Sequence, residues 1–235
     1  MRLFAILLLL VGLTSGCNSK SPEIQAKEAA NKEALAKQAA EKAAPEAQAV
    51  VDKAAPADCT YTITKLTPGW TAYKTTKKVA VGGTFNSVKI SGIKPGDTLT
   101  AAFTGLSAEI EGASIESGNP ARNATVASAF FGKFAEQAKI SAKITGATSG
   151  KDTGIFITNV TMNGVTKSAQ LKHGGVKEGT LVAKAVIDML DFSLQGAFDS
   201  IHKTCEALHT GDDGVSKTWT EVEITITADV TEQCS

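Results

Sequence analysis

From Cys59 onward the apolar side chains recur at every second position, and this period of two limits the chain to half-buried strands over most of its length. The clearest run is near the end: Val222, Ile224, Ile226, Ala228 and Val230 face one way, and Glu223, Thr225, Thr227 and Asp229 the other. Tyr61 and Ile63 alternate with threonines, Leu99, Ala101 and Phe103 alternate with Thr98, Thr100 and Thr104, and Ile140, Ala142 and Ile144 alternate with Lys139, Ser141 and Lys143. Turn signals divide these runs at Lys94-Pro95-Gly96-Asp97, Gly174-Gly175 and Asn163-Gly164. The last tolerates the positive backbone angles of a two-residue hairpin, here between Ile155 to Met162 and Val165 to Leu171. An antiparallel sheet or barrel follows. From Thr180 to Phe192 apolar residues occupy one face and much of the other, so this strand asks for apolar neighbours on both sides. Residues 121–135 and 198–208 lack alternation and read as short helices at a barrel rim.

Ahead of Cys59 the pattern is different. Residues 1–16 combine Arg2, an apolar run from Leu3 to Leu13 and small residues before Cys17, the layout of a lipoprotein export signal. The run is too short to span a bilayer, so cleavage before Cys17 and acylation of that cysteine are expected. Residues 17–58 form a spacer in which Glu23/Lys27, Glu28/Lys32 and Glu33/Lys37 stand four apart, and the Ala/Lys/Glu-rich composition reads as a helical stalk interrupted by Pro45 and Pro56. Residues 59–235 remain as one domain, long enough to build its own core. Asn18 after Cys17 is not acidic, which favours the outer membrane over the inner one for the anchored protein.

With 24 basic and 24 acidic side chains the chain carries no net charge, and nucleic acid is excluded as a main partner. Enzymatic signatures are absent: there is no Gly-x-Ser-x-Gly elbow, no phosphate-cradling glycine loop and no His-Glu-x-x-His, and a non-catalytic protein is expected.

Several segments, taken in order, resemble the YceI-like family, the lipocalin-like polyisoprenoid-binding proteins of bacterial envelopes. They are Trp70-Thr-Ala-Tyr-Lys-Thr, Val81-Gly-Gly-Thr-Phe85, Ala113-Ser-Ile-Glu-Ser-Gly118 with Arg122-Asn123, Phe130-Phe131-Gly132, Asn163-Gly-Val-Thr-Lys167 and Glu221-Val-Glu-Ile-Thr-Ile-Thr227. Many members carry Arg-Asp where this chain has Arg122-Asn123, and the segment from Cys205 to Gly214 is distinctive. The resemblance implies an all-β fold, an antiparallel barrel of about eight strands whose lumen holds a long apolar chain: a polyisoprenoid, a quinone or a fatty-acid derivative. It implies no cofactor beyond such a bound lipid, and a tendency to pair as a homodimer. Eight strands enclose one slender ligand, and such a cavity needs apolar walls.

Aromatic side chains able to line that lumen are Trp70, Phe85, Phe103, Phe130, Phe131, Phe134, Phe156, Phe192, Phe198 and Trp219. The alternative is that they fill the barrel solidly, which would make the protein a structural or interaction lipoprotein. Of the cysteines left after acylation of Cys17, Cys59 opens the first strand and Cys234 follows the last, so a bridge between them is preferred, with pairings through Cys205 open. His202, Cys205 and His209 fall at intervals of three and four and form a weak metal-ligand pattern, for which structural roles are the favoured reading. His173, beside Gly174-Gly175, reads as exposed.

Overall fold

The computed structural model describes residues 59–149 and 153–234. The signal segment, Cys17 and the spacer lie outside the described residues. Within them ten strands pair in one antiparallel sheet: β1 (Cys59–Lys74), β2 (Val79–Phe85), β3 (Val88–Ser91), β4 (Ser107–Glu111), β5 (Ile115–Glu116), β6 (Lys139–Ser149), β7 (Gly154–Met162), β8 (Val165–Lys177), β9 (Thr180–Asp188) and β10 (Thr218–Cys234). Their spatial order is β3-β4-β6-β7-β8-β9-β10-β1-β2-β5. The sheet curls into a half-barrel with β3 and β5 at its edges, so the expected eight-stranded closed barrel is corrected to an open one of ten strands. Short strands at both edges limit the unpaired backbone an open sheet exposes.

The period of two does what it should. β7 buries Phe156, Thr158, Val160 and Met162 and turns Ile157 and Asn159 outward, and β8 buries Ala169, Leu171 and His173 against it. Asn163 and Gly164 both take positive φ, 49° and 77°, the two-residue turn their sequence predicts. Asn163 also works as a clamp. Its Oδ1 accepts from the backbone N–H groups of Ala135 and Glu136, and its Nδ2 donates to Ser193 O at 3.1 Å.

Four expectations are corrected. Leu99–Phe103 is a helix, α1, because Thr98 caps it, accepting from Ala101 N at 3.1 Å; the five residues Leu-Thr-Ala-Ala-Phe are too few to separate the two periods. Gly174-Gly175 makes no turn but a bulge within β8, where the register with β9 shifts between His173 and Val176; the chain reverses at Glu178-Gly179 instead, both at positive φ. β9 ends at Asp188, whose side chain accepts from Leu190 N and starts a 3-10 turn over Met189–Phe192. The outer face of that stretch stays uncovered among the described residues, with Val182, Val186 and Leu190 exposed.

Three further helices sit where alternation fails: α2 (Pro120–Ala129), capped by Asn119 with Pro120 in its first turn, α3 (Gln195–Thr204) and α4 (Glu206–His209). The longest pairing in the sheet is β1 with β10, running from Cys59 opposite Cys234 to Lys74 opposite Thr218. Where this ladder begins, Cys59 and Cys234 close a disulfide, with Cα atoms 4.0 Å apart; among the described residues Cys205 is left as a buried free thiol.

Candidate functional site

The core occupies only part of the half-barrel. Toward the Cys59–Cys234 end it is solid: Phe103 stacks on Phe156 at 4.5 Å between centroids, and Phe156 stacks in turn on His173 at 4.6 Å. Phe192, 1% exposed, is buried at the opposite end, in the 3-10 turn that follows β9, next to Ser193, whose carbonyl accepts from the Asn163 hairpin. His173 is thus buried rather than exposed. Its Nδ1 accepts from Gly175 N–H, which places the neutral ring's proton on Nε2, and burial pushes its pKa down.

Toward the other end the sheet and helices surround a cavity of about 450 Å³, within the range of small-molecule sites. Its walls are built mainly from inward positions of the strands: Trp70 and Ala72 of β1, Val81 and Phe85 of β2, Ile140 and Ala142 of β6, Val160 and Met162 of β7, Leu171 of β8, Ile187 of β9, and Val222, Ile224 and Ile226 of β10. Helices α2 and α3 contribute Val126, Phe198 and Ile201. Phe131 packs edge-to-face against Phe130 and Phe85, with Phe134 5.3 Å from it between centroids, so the non-alternating segment holds an aromatic cluster beside the cavity.

Of the ten aromatic residues singled out by sequence, Trp70, Phe85, Phe130, Phe131, Phe198 and Trp219 lie on the cavity wall. Phe103, Phe134, Phe156 and Phe192 lie outside its lining. The aliphatic wall positions escaped attention because an inward Ile or Val on an alternating strand looks the same whether it meets a neighbour or a void.

Apart from Tyr73, Thr158 and Thr225, the polar side chains on the wall form two groups. Asn119, Arg122 and Thr125 sit at the start of α2. Lys74, His209 and Thr218 meet where β1 and β10 end; Lys74 Nζ donates to Leu208 O at 3.1 Å, tying α4 to the sheet. Thr218 Oγ1 lies 2.9 Å from His202 Nδ1 and 2.6 Å from His209 Nδ1. A hydroxyl has one proton to give, so at least one of the two imidazoles donates to it. Burial, with help from Lys74 and His202, holds the His209 pKa down, and burial raises that of the Cys205 thiol against the opposing pull of Lys74.

His202, Cys205 and His209 do not bring their three ligating atoms within 4.8 Å of one another. Among the described residues the one group of three or more ligating side chains within 4.8 Å is Cys59, Glu232 and Cys234, and two of those sulfurs are spent in the disulfide. The histidines instead fasten the α3–α4 segment to β10. Trp219, itself in β10, ties that strand to the turn between β1 and β2 by donating Nε1–H to Thr75 O at 2.8 Å, beneath the ammonium of Lys78.

The geometry defines a curled antiparallel sheet around an apolar cavity. Residues 57–230 match the model of the YceI-like domain, and the chain belongs to that family. No curated protein matches it. Similar solved structures include a polyisoprenoid-binding domain from Saccharophagus degradans (11% identity, 74% of this chain and 98% of that one, TM-score 0.48) and BcnA of Burkholderia cenocepacia (15%, 71% and 96%, 0.49). A YceI protein of Campylobacter jejuni is 17% identical over 65% of this chain and 85% of its own, with a TM-score of 0.42.

Proposed function

We propose that this protein is a binding protein rather than an enzyme, holding one long apolar chain in its cavity for carriage or storage. The observation that carries the reading is the void itself: about 450 Å³ bounded chiefly by Ile, Val, Phe and Trp side chains in a half-barrel whose other end is close-packed. An apolar guest gains about 25 cal/mol for each Å² taken out of water, and needs no reactive group to be retained. A close-packed interior would favour a purely structural lipoprotein; the void supports the carrier reading instead. Membership of the YceI-like family supports a hydrophobic ligand, and a polyisoprenoid, a quinone or a fatty-acid derivative fits the wall chemistry.

The same reading places the protein in a bacterial envelope, anchored through acylated Cys17 to the outer membrane, with the spacer holding the barrel off the lipid. The test is direct. The full chain is expressed in its native envelope and purified, its bound small molecules are extracted with organic solvent, and the extract is analysed by mass spectrometry. A stoichiometric chain lipid supports the proposal; an extract free of lipid, together with no uptake of added polyprenol, overturns it.

A further inference from the structure

One polar atom on the cavity wall has no partner. Thr158 sits in the middle of β7, opposite Ile144 of β6 and Ala169 of β8, on the inward face shared with Val160 and Met162. It is 1% exposed, it lines the cavity, and its Oγ1 makes no hydrogen bond within the protein. The neighbouring inward residues on the three strands are apolar: Phe156, Val160, Ile144, Ala142, Leu171 and Ala169. A valine would fill the same volume, so the hydroxyl is not there for packing. A buried hydroxyl left unpaired is costly, and an interior built only to grip hydrocarbon has no use for one.

Resting on the reading of the cavity as a site for a chain-like guest, we infer that Thr158 is a specificity-determining contact for an oxygen carried by that guest. The chemical class is an apolar chain bearing a carbonyl, ether or hydroxyl oxygen that enters the cavity with the chain. Rotation of χ1 between staggered positions exchanges Oγ1 and the methyl group on this wall, so the residue can turn its donor toward a guest without moving the strand. A site that offers a hydrogen bond in an apolar surround penalises the guest that lacks the partner atom. Thr225, also on the wall, belongs to β10 and is only half-buried, so it is not sealed from solvent as Thr158 is.

The experiment compares methyl decyl ketone with dodecane, two guests of equal chain length, each competing against a fluorescent apolar dye bound to the purified full chain. The quantity read is the ratio of their affinities, which cancels the difference in their solubility when variants are compared. Thr158→Val lowers the ketone-to-alkane ratio about three- to tenfold, the worth of one hydrogen bond, by weakening the ketone while leaving dodecane equal or tighter. Thr158→Ser, which keeps the hydroxyl and drops the methyl, retains the wild-type ratio. An unchanged ratio in Thr158→Val, with both guests bound, overturns this assignment and leaves the carrier reading standing. Failure of wild-type protein to bind either guest overturns the carrier reading, and the assignment with it.

Discussion

Asn123 donates its Nδ2–H to Glu116 Oε1 across 3.1 Å, joining α2 to β5 at the edge of the sheet. The same amide accepts from the backbone N–H and the hydroxyl of Ser117, at 2.9 and 2.7 Å. An amide can do both, whereas a carboxylate accepts and does not donate. Asn123, followed by Gly118 N–H, holds the Glu116 carboxyl below its ordinary range. A group whose folded pKa is depressed contributes stability above its unfolded pKa and loses it as pH falls through the folded one. In Asn123→Asp the donor is gone and two carboxylates face each other. Its melting temperature is expected to fall below wild type at neutral pH, with the gap narrowing as pH drops beneath the glutamate range; melts across that range check it.

Loss of the Cys59–Cys234 bridge should act on the unfolded chain. The bond closes a loop of 175 residues, and removing such a cross-link costs about 2–5 kcal/mol. Cys59→Ser, or wild type under reductant, is expected to unfold at lower urea concentration. Because β1 and β10 keep their ladder of paired residues, the fold survives in buffer, as circular dichroism would show.

His173 makes stability pH-dependent in a second window. Burial favours its neutral form, and Gly175 N–H already occupies Nδ1 as a donor, so a proton there has nowhere to point. The unfolded state takes up this proton in the ordinary histidine range while the folded state resists it until lower pH. Stability from His173 is therefore full above the ordinary histidine range and shrinks as pH falls from there toward the depressed folded value. Titration of its ring signals by NMR should show a pKa beneath that of a free histidine.

Cys205 is buried, lies on the cavity wall and has a raised thiol pKa. Little thiolate means slow alkylation. Iodoacetamide should label it at least tenfold more slowly in the folded protein than in urea, and a bound guest should slow it further. Labelling rates followed by intact mass would read both effects.

Filling the void should abolish binding without unfolding the chain. Ala142 is half-buried on the cavity wall, opposite Ala108 of β4 and Val160 of β7. Ala142→Phe places a ring in space now unoccupied. It is expected to reduce affinity for an apolar dye at least tenfold while the melting temperature stays level or rises, since filling a void adds contacts rather than strain. Dye titration and thermal melts on one preparation test this.

How much of this was legible in the sequence depended on how far each signal reached. Alternation over long runs, as in Val222–Val230, fixed strands and their inward faces, and Asn163-Gly164 named its own turn. Cys59 and Cys234 pointed to each other because the strands that carry them were expected to be neighbours. Local signals that compete with one another misled: Leu99–Phe103 alternates over one turn of helix, and Gly174-Gly175 suits a bulge as well as a reversal. The void was legible only as a family expectation. Whether Phe85 lines a cavity and Phe156 a core depends on the curl of the whole sheet, which register shifts such as that after Ile144 help to set. The spacing of His202 and His209 offered only a weak metal-ligand pattern beside the favoured structural role, because spacing reports shared faces and could not show that both rings turn to Thr218.

The position of the disulfide has a mechanical consequence. β1 and β10 are antiparallel and carry their outer ends at the same place, so a pull entering ahead of Cys59 and leaving past Cys234 would part them like a zip, one backbone hydrogen bond at a time. The covalent link stands at the first tooth. Tension applied through those two ends is carried by sulfur, and the far ends of these strands, where Trp70 and Val222 line the void, feel none of it.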